Sequence, residues 1–272
     1  QITKFIHNMK KLTMIAALVL IASVASAQTI NVTNAIEQQK RGYYKKAKEY
    51  IDKASVHEQT AGQAKTWYWR TLINYMIGKE ITDNTKKGKE LAVSYPYWYH
   101  DCMLSALTWQ KLDTQEEFKT NITPLIAHIG SVYYNIGYEG FKARDYAKAM
   151  LNCDTSIMLL GIIKDEEALA NSYYLAGVSA MNDQNNDKAK TYFSYLIRKG
   201  NKQYSQVYQT MFKIYVDEKD TVEAMNTARK FVRAFPKSYE ADMLLSTAYR
   251  MTGNEEKSQE SMNNALTKVA ND

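Results

Sequence analysis

One pattern recurs along the chain and narrows the folds open to it more than any other feature. Gly42-x-Tyr44-x-x-Ala47-x-x-x-Ile51-x-x-Ala54 returns without its glycine as Tyr146-x-x-Ala149-x-x-x-Cys153. It returns again as Ala189-x-x-x-Phe193, as Ala224-x-x-x-Ala228-x-x-Phe231 followed by Pro236, and as Gly253-x-Glu255-x-x-Ser258-x-x-x-Met262-x-x-Ala265. Spacings of three and four are those of one helix face. Each such helix follows another with its own signature: "WYWRTLINYMIG" ends at Gly78, "YYNIGYEG" carries Gly137, "YYLAGVSA" carries Gly177, and "YQTMFKIY" and "DMLLSTAY" close on Tyr215 and Tyr249.

Self-similarity at a fixed period implies stacked units, each unable to bury its apolar face alone. Small residues at Gly137, Gly177, Ala47, Ala149, Ala189 and Ala224 suit places where two helices of a hairpin approach closely. With three prolines and eleven glycines in 272 residues and no sustained strand alternation, the chain is expected to be all-α.

These residues resemble the tetratricopeptide repeat: an aromatic, a Leu-Gly pair and a Tyr in a first helix, then Ala, Phe and Ala in a second, with a closing Pro. About seven units align, with first helices starting near Val32, Ala64, Tyr99, Ser131, Ala170, Ser205 and Tyr239. The resemblance implies a right-handed α-solenoid of helix-turn-helix units over 28–272. The unit at 97–124 is the least regular, because Phe118 stands where a small residue belongs. Thr114 with Glu117 reads as a cap there, and Pro124 as the stop of one helix and start of the next. About five extra residues between Leu159 and Asn171 read as a place where the stack bends or loosens. The opening helix, "TINVTNAIEQQK", lacks the aromatic and the Leu-Gly pair, as a terminal capping unit does.

Residues 1–27 are set apart from the fold. Met9-Lys10-Lys11, a largely apolar run from Leu12 to Val24 and Ala25-Ser26-Ala27 have the three-part layout of a secretory signal. The run is too short for the roughly 20 apolar residues of a spanning helix. Translation is expected to start at Met9, with cleavage before Gln28 and delivery to a periplasm or beyond. The net charge of +6 includes Lys4, Lys10 and Lys11, so the 245 residues after Ala27 carry +3. With acids and bases interleaved, such a balance gives no footprint for nucleic acid or a membrane surface. Cys102 and Cys153 would enter an oxidising compartment, yet each has apolar helical neighbours, so both a disulfide and two buried thiols are open.

Catalysis finds little support. His57, His100 and His128 are isolated from one another, with no metal-type spacing. Asp165-Glu166-Glu167 and Glu255-Glu256 are neighbours in sequence and so point to different sides of a helix. No nucleophile elbow or phosphate-cradling loop is present, nor a pair of carboxylates on separate elements as glycoside chemistry needs. No cofactor or metal is expected, and the chain is expected not to be an enzyme.

The aromatic content, 21 Tyr and 4 Trp, exceeds what the packing positions need. In the family it resembles, the first helices line a concave groove that holds peptide segments. Residues just after each core aromatic, and one turn on, are the groove candidates: Tyr68, Trp69, Tyr134, Asn135, Tyr138, Tyr174 and Gln209. Tyrosine suits this use, with an apolar ring and a hydroxyl that can hydrogen-bond. The expected function is an exported adaptor or scaffold binding a protein or peptide; the alternative is a structural subunit of a bacterial cell-envelope or secretion complex. The intact mass of the exported protein checks the leader: it should correspond to a chain starting at Gln28, and any other start contradicts the cleavage reading.

Overall fold

A computed structural model describes residues 30–270. The leader, its Met9 start and the cleavage before Gln28 therefore lie outside the described residues. Those described are all-helical: α1 (30–40), α2 (Tyr44–Ser55), the single turn α3 (Glu58–Ala61), α4 (Ala64–Thr82), α5 (Lys86–Ser94), α6 (Trp98–Leu112), α7 (Lys119–Lys142), α8 (Tyr146–Ile163), α9 (Glu166–Asn182), α10 (Asn186–Arg198), α11 (Gln206–Asp217), α12 (Thr221–Ala234), α13 (Tyr239–Met251) and α14 (Glu255–Ala270). They form two compact units, divided between Ile129 and Gly130. No described helix is long and apolar enough to cross a membrane.

The repeat is visible in its turns. Two residues past α1, α4, α7, α9, α11 and α13 the chain is left-handed: Gly42, Asn84, Arg144, Gln184, Lys219 and Gly253 all have φ between 54° and 77°. In most of these turns the next amide reaches back five residues, as Asp145 N to Gly140 O (2.9 Å), Asn185 N to Ala180 O (2.8 Å), Asp220 N to Tyr215 O (2.8 Å) and Asn254 N to Tyr249 O (2.9 Å). That bond answers a carbonyl otherwise orphaned at the helix end. The residue that donates it then caps the second helix with its side chain: Asp145 accepts from Lys148 N, Asn185 from Lys188 N, Asp220 from Glu223 N and Asn254 from Lys257 N, all at 3.0–3.1 Å. Thr85 caps α5 in the same way, at 2.9 Å from Gly88 N. Left-handed backbone costs about 1–2 kcal/mol at a residue with a Cβ, so each Asn, Arg, Gln or Lys held there is offset by the paired bonds around it.

Small residues sit at the crossings. Ala47, Ala149, Ala189, Ala224 and Ala228 are all fully buried. A Cβ at Gly177 would lie 2.3 Å from the Phe193 ring, and one at Gly137 would lie 3.1 Å from both the Ala149 carbonyl and the Cys153 sulfur. In the second unit, Cys153, Leu175, Ala176, Ala189, Phe193 and Met211 form one apolar cluster across α8 to α11. Phe212, Ala224, Ala228 and Ala248 carry the core on through α11 to α13.

Two expectations are corrected. Pro124 does not end a helix; it lies inside the 24-residue α7. Ile122, Leu125, Ile126, Ile129 and Tyr133 are buried at unbroken helical spacing, and this stripe outweighs the single backbone bond that proline removes near a helix start. The cap is Asp113 rather than Thr114: its two carboxylate oxygens accept from Glu117 N and Phe118 N at 3.0 Å. The extra residues after Leu159 are helical and extend α8 to Ile163. Lys164, at φ 56°, then turns the chain, and Asp165 caps α9. Leu159 and Leu160 are buried, and the Ser156 hydroxyl donates to Gly130 O (2.8 Å) and lies 3.0 Å from that of Ser172.

The first unit holds a charge cluster that sequence spacing does not announce. Lys48, only 4% exposed, pairs with Asp52 (2.8 Å) and Asp101 (3.1 Å). Arg70 pairs with Asp52 (2.8 Å) and donates to Ser105 Oγ (2.6 Å). Two cations against two anions tie α2, α4 and α6 into one register. Cys102 and Cys153 are free, buried thiols.

Ala149→Glu would bury an unpaired carboxylate against α7 and should cost about 4 kcal/mol or more. A thermal melt checks this: loss of the cooperative transition is expected, whereas wild-type melting would mean that α7 and α8 do not cross at Ala149.

Candidate partner-binding face

In the second unit α7, α9 and α11 are successive first helices, and their side chains build the best candidate face. Ser131 and Tyr134 of α7, with Leu160, Ala168, Asn171 and Ser172, enclose a cleft of about 80 Å³. Tyr134 is half-buried against the apolar cluster of α8 to α11, and that burial raises its phenol pKa. One turn on, Tyr138 is 44% exposed, with the Lys142 ammonium 5.0 Å from its ring centre. Asn135, between them, is exposed.

Tyr174 of α9 lies flat on Tyr204, with ring centres 4.1 Å apart and planes 5° from parallel. Tyr204 belongs to the segment between α10 and α11, and its hydroxyl donates to Asn171 Oδ1. Gln206, at the start of α11, donates its side-chain amide to the Tyr174 hydroxyl at 3.0 Å. Gln209, three residues on, is exposed. The preceding tyrosine, Tyr173, stacks on Tyr195 at 3.8 Å. The Tyr195 hydroxyl donates to Glu166 and that of Tyr192 to Asp154, both at 2.9 Å. Burial, then the Glu166 carboxylate, pushes the Tyr195 phenol up to about 12. Burial and Asp154 raise that of Tyr192 further still.

Of the seven candidate residues, Tyr134, Asn135, Tyr138, Tyr174 and Gln209 fall in the second unit. Tyr68 and Trp69 fall in the first. Tyr68 is buried and stacks on Phe118 at 4.7 Å, with Trp69 edge-on at 5.4 Å. It faces inward because Phe118, in the turn before α7, covers it. The structure links Tyr174 to the Tyr204 that sequence reasoning passed over. The available signal was an aromatic in the glycine-containing connection "GNKQYS", where a tyrosine needs a packing partner. Asn171, polar on a first helix, is engaged by Tyr204 and Gln203.

Among the described residues no three His, Cys, Asp or Glu side chains gather as a metal site would require. His57 accepts from Gln59 N at 3.3 Å, capping α3, and the His128 ring meets Tyr75 edge-on. Burial pushes the Cys153 thiol up to about 12 and that of Cys102 higher, so neither is a nucleophile near neutral pH.

No protein-family model matches the chain, and no curated protein matches it. Solved structures similar to it include the following two. One, described as "Functional Characterization of Pseudomonas Aeruginosa pilF", is 14% identical with a TM-score of 0.38, covering 87% of this chain and 89% of that one. The other, the "TPR2AB-domain:pHSP90-complex of yeast Sti1", is 16% identical with a TM-score of 0.32, covering 91% of this chain and 92% of that one.

The raised phenols and thiols fix the sign of an alkaline response. In the unfolded chain these groups lose protons near their ordinary values, about 8.5 for Cys and about 10 for Tyr. In the folded chain they hold them, so their contribution to stability is complete below those values and falls as pH rises toward 12. Urea unfolding at stepped pH should show stability declining from about pH 9 upward. Tyr195→Phe should shallow that decline, and an unchanged slope would contradict the Tyr195–Glu166 hydrogen bond.

Proposed function

We propose that this chain is an exported, non-enzymatic adaptor that holds a partner polypeptide on the α7–α9–α11 face of its second unit. The observation that carries the reading is the set Tyr134, Tyr138 and Tyr174, none fully buried, held on rigid helices beside the cleft at Ser131 and Asn171. Partly exposed tyrosines on packed elements lose little entropy on binding and combine ring contact with a hydroxyl, which is why they recur among interface hot spots. Asn135 and Gln209 supply polar groups at the edge. The resemblance to tetratricopeptide repeats agrees with a peptide or protein as the occupant. Export, with a periplasmic destination in a bacterial cell, rests on the three-part layout of residues 9–27.

A second reading, a permanent subunit of a cell-envelope or secretion assembly, draws on α14. Leu266 and Val269 are 59% and 53% exposed, three residues apart on one side of the last helix. Native size-exclusion mass separates the two, because a dedicated subunit would run almost wholly in a large complex.

Affinity capture followed by binding measurement tests the first reading. Tyr134→Ala and Tyr174→Ala should each weaken the partner by about 2 kcal/mol, roughly thirtyfold, as hot spots do. Tyr138→Ala, at an exposed ring, should weaken binding without lowering the melting temperature. Full binding by all three variants, with melting unchanged, would remove the face from consideration.

A further inference from the structure

A second concavity in the same unit has a different chemistry. It opens between the C-terminal ends of two second helices, α10 and α12, with the segment after α10 along one side. Its volume is about 800 Å³. Arg198, Lys199, Lys202, Lys230 and Arg233 line it, and no carboxylate does. All five cations are exposed. Ile197, Ala234 and Pro236 supply apolar lining between them.

The local sequence explains how the charges converge. Arg198 and Arg233 occupy the last turns of α10 and α12. Lys199 is the cap residue of α10, and Gly200, at φ 61°, turns the chain so that Lys202 comes back over the opening. Cations in a last turn commonly just offset the helix dipole, which is worth about half a negative charge per C-terminus. Here that explanation falls short. Two helix ends and Glu166, which holds Lys199 at 2.8 Å, leave about three positive charges unanswered. Among the described residues Lys202, Lys230 and Arg233 form no ion pair with a carboxylate.

We propose that this concavity is a docking site for an acidic polypeptide segment bearing an aliphatic side chain. Charge complementarity selects the acid, because several cations sharing one concavity attract an anionic segment and orient its approach. The apolar lining at Ile197, Ala234 and Pro236 selects the aliphatic side chain. A nucleic-acid strand fits less well, since strand binding needs aromatic faces for the bases to stack on. The aromatic here, Tyr208, is 1% exposed, with Phe231 stacked at 5.0 Å and Phe235 edge-on at 5.7 Å. The site is separate from the tyrosine face, whose residues do not line it.

Fluorescence anisotropy of the full chain with a labelled peptide of repeated Glu-Glu-Leu triplets tests the proposal. Binding is expected, weakening by roughly tenfold or more in the triple variant Lys202→Glu, Lys230→Glu, Arg233→Glu, and weakening as salt rises from about 50 to about 200 mM. The matched charge-preserving variant Lys202→Arg, Lys230→Arg, Arg233→Lys should bind as the wild type does. Because these side chains are exposed, both variants should melt as the wild type does, and circular dichroism checks that. Tyr134→Ala and Tyr174→Ala should leave this peptide within about twofold, so the two sites fail or succeed independently. Equal binding by the charge-reversed protein, or tighter binding of an oligothymidylate than of the peptide, would overturn the proposal.

Discussion

The close crossing of two helices at a small side chain is the constraint on which the rest depends. At Gly137 the Ala149 carbonyl and the Cys153 sulfur, and at Gly177 the Phe193 ring, occupy the space that a larger residue on the inner face would need. A hairpin so closed cannot cover its outer apolar stripe, which must be met by the next hairpin, and stacking follows. The left-handed residue, with a capping side chain at most of these turns, makes successive hairpins alike. The non-glycine left-handed residues Asn84, Arg144, Gln184 and Lys219 show that backbone bonds, rather than glycine alone, hold the turn.

Once small residues occupy the crossings, the large aromatics are pushed to the sides of the first helices, where they divide by environment. Tyr68, with Phe118 over it, becomes core. Tyr173 and Tyr195 pair with each other and anchor Glu166. Tyr134, Tyr138 and Tyr174 keep part of their rings free. Tyr174 is further shaped by the α10–α11 connection, whose Tyr204 stacks on it while Lys202 of the same segment lines the cationic concavity. One short connection thus borders two surfaces of different chemistry, one aromatic and neutral, the other basic.

Helix type, hairpin order and buried alanines were legible because they repeat at a period that sequence displays directly. What escaped notice depends on contacts between residues far apart in the chain. Pro124 reads as punctuation until the buried stripe from Ile122 to Tyr133 is weighed against it. Lys48, Asp52, Arg70 and Asp101 look like ordinary surface charges, and only the crossing of α2, α4 and α6 brings them into one cluster around the buried Lys48. The tyrosine positions were legible as a set, but which of them stay open was not, because Phe118 and Tyr204 come from irregular segments with no repeat register. The convergence of Arg198, Lys202, Lys230 and Arg233 was hidden similarly: the cations belong to two helix ends and a connection.

Amide hydrogen exchange on the full chain, free and bound to its captured partner, tests the central claim most directly. Tight packing of helical hairpins around small residues should leave the tyrosines of α7 and α9 open to the captured partner. Protection on binding is therefore expected in α7 after Gly130, in the first turns of α9, and from Lys199 through the first turns of α11, with α2 to α5 unchanged. Protection confined to α2 to α5, or no change in α7 and α9, would contradict it.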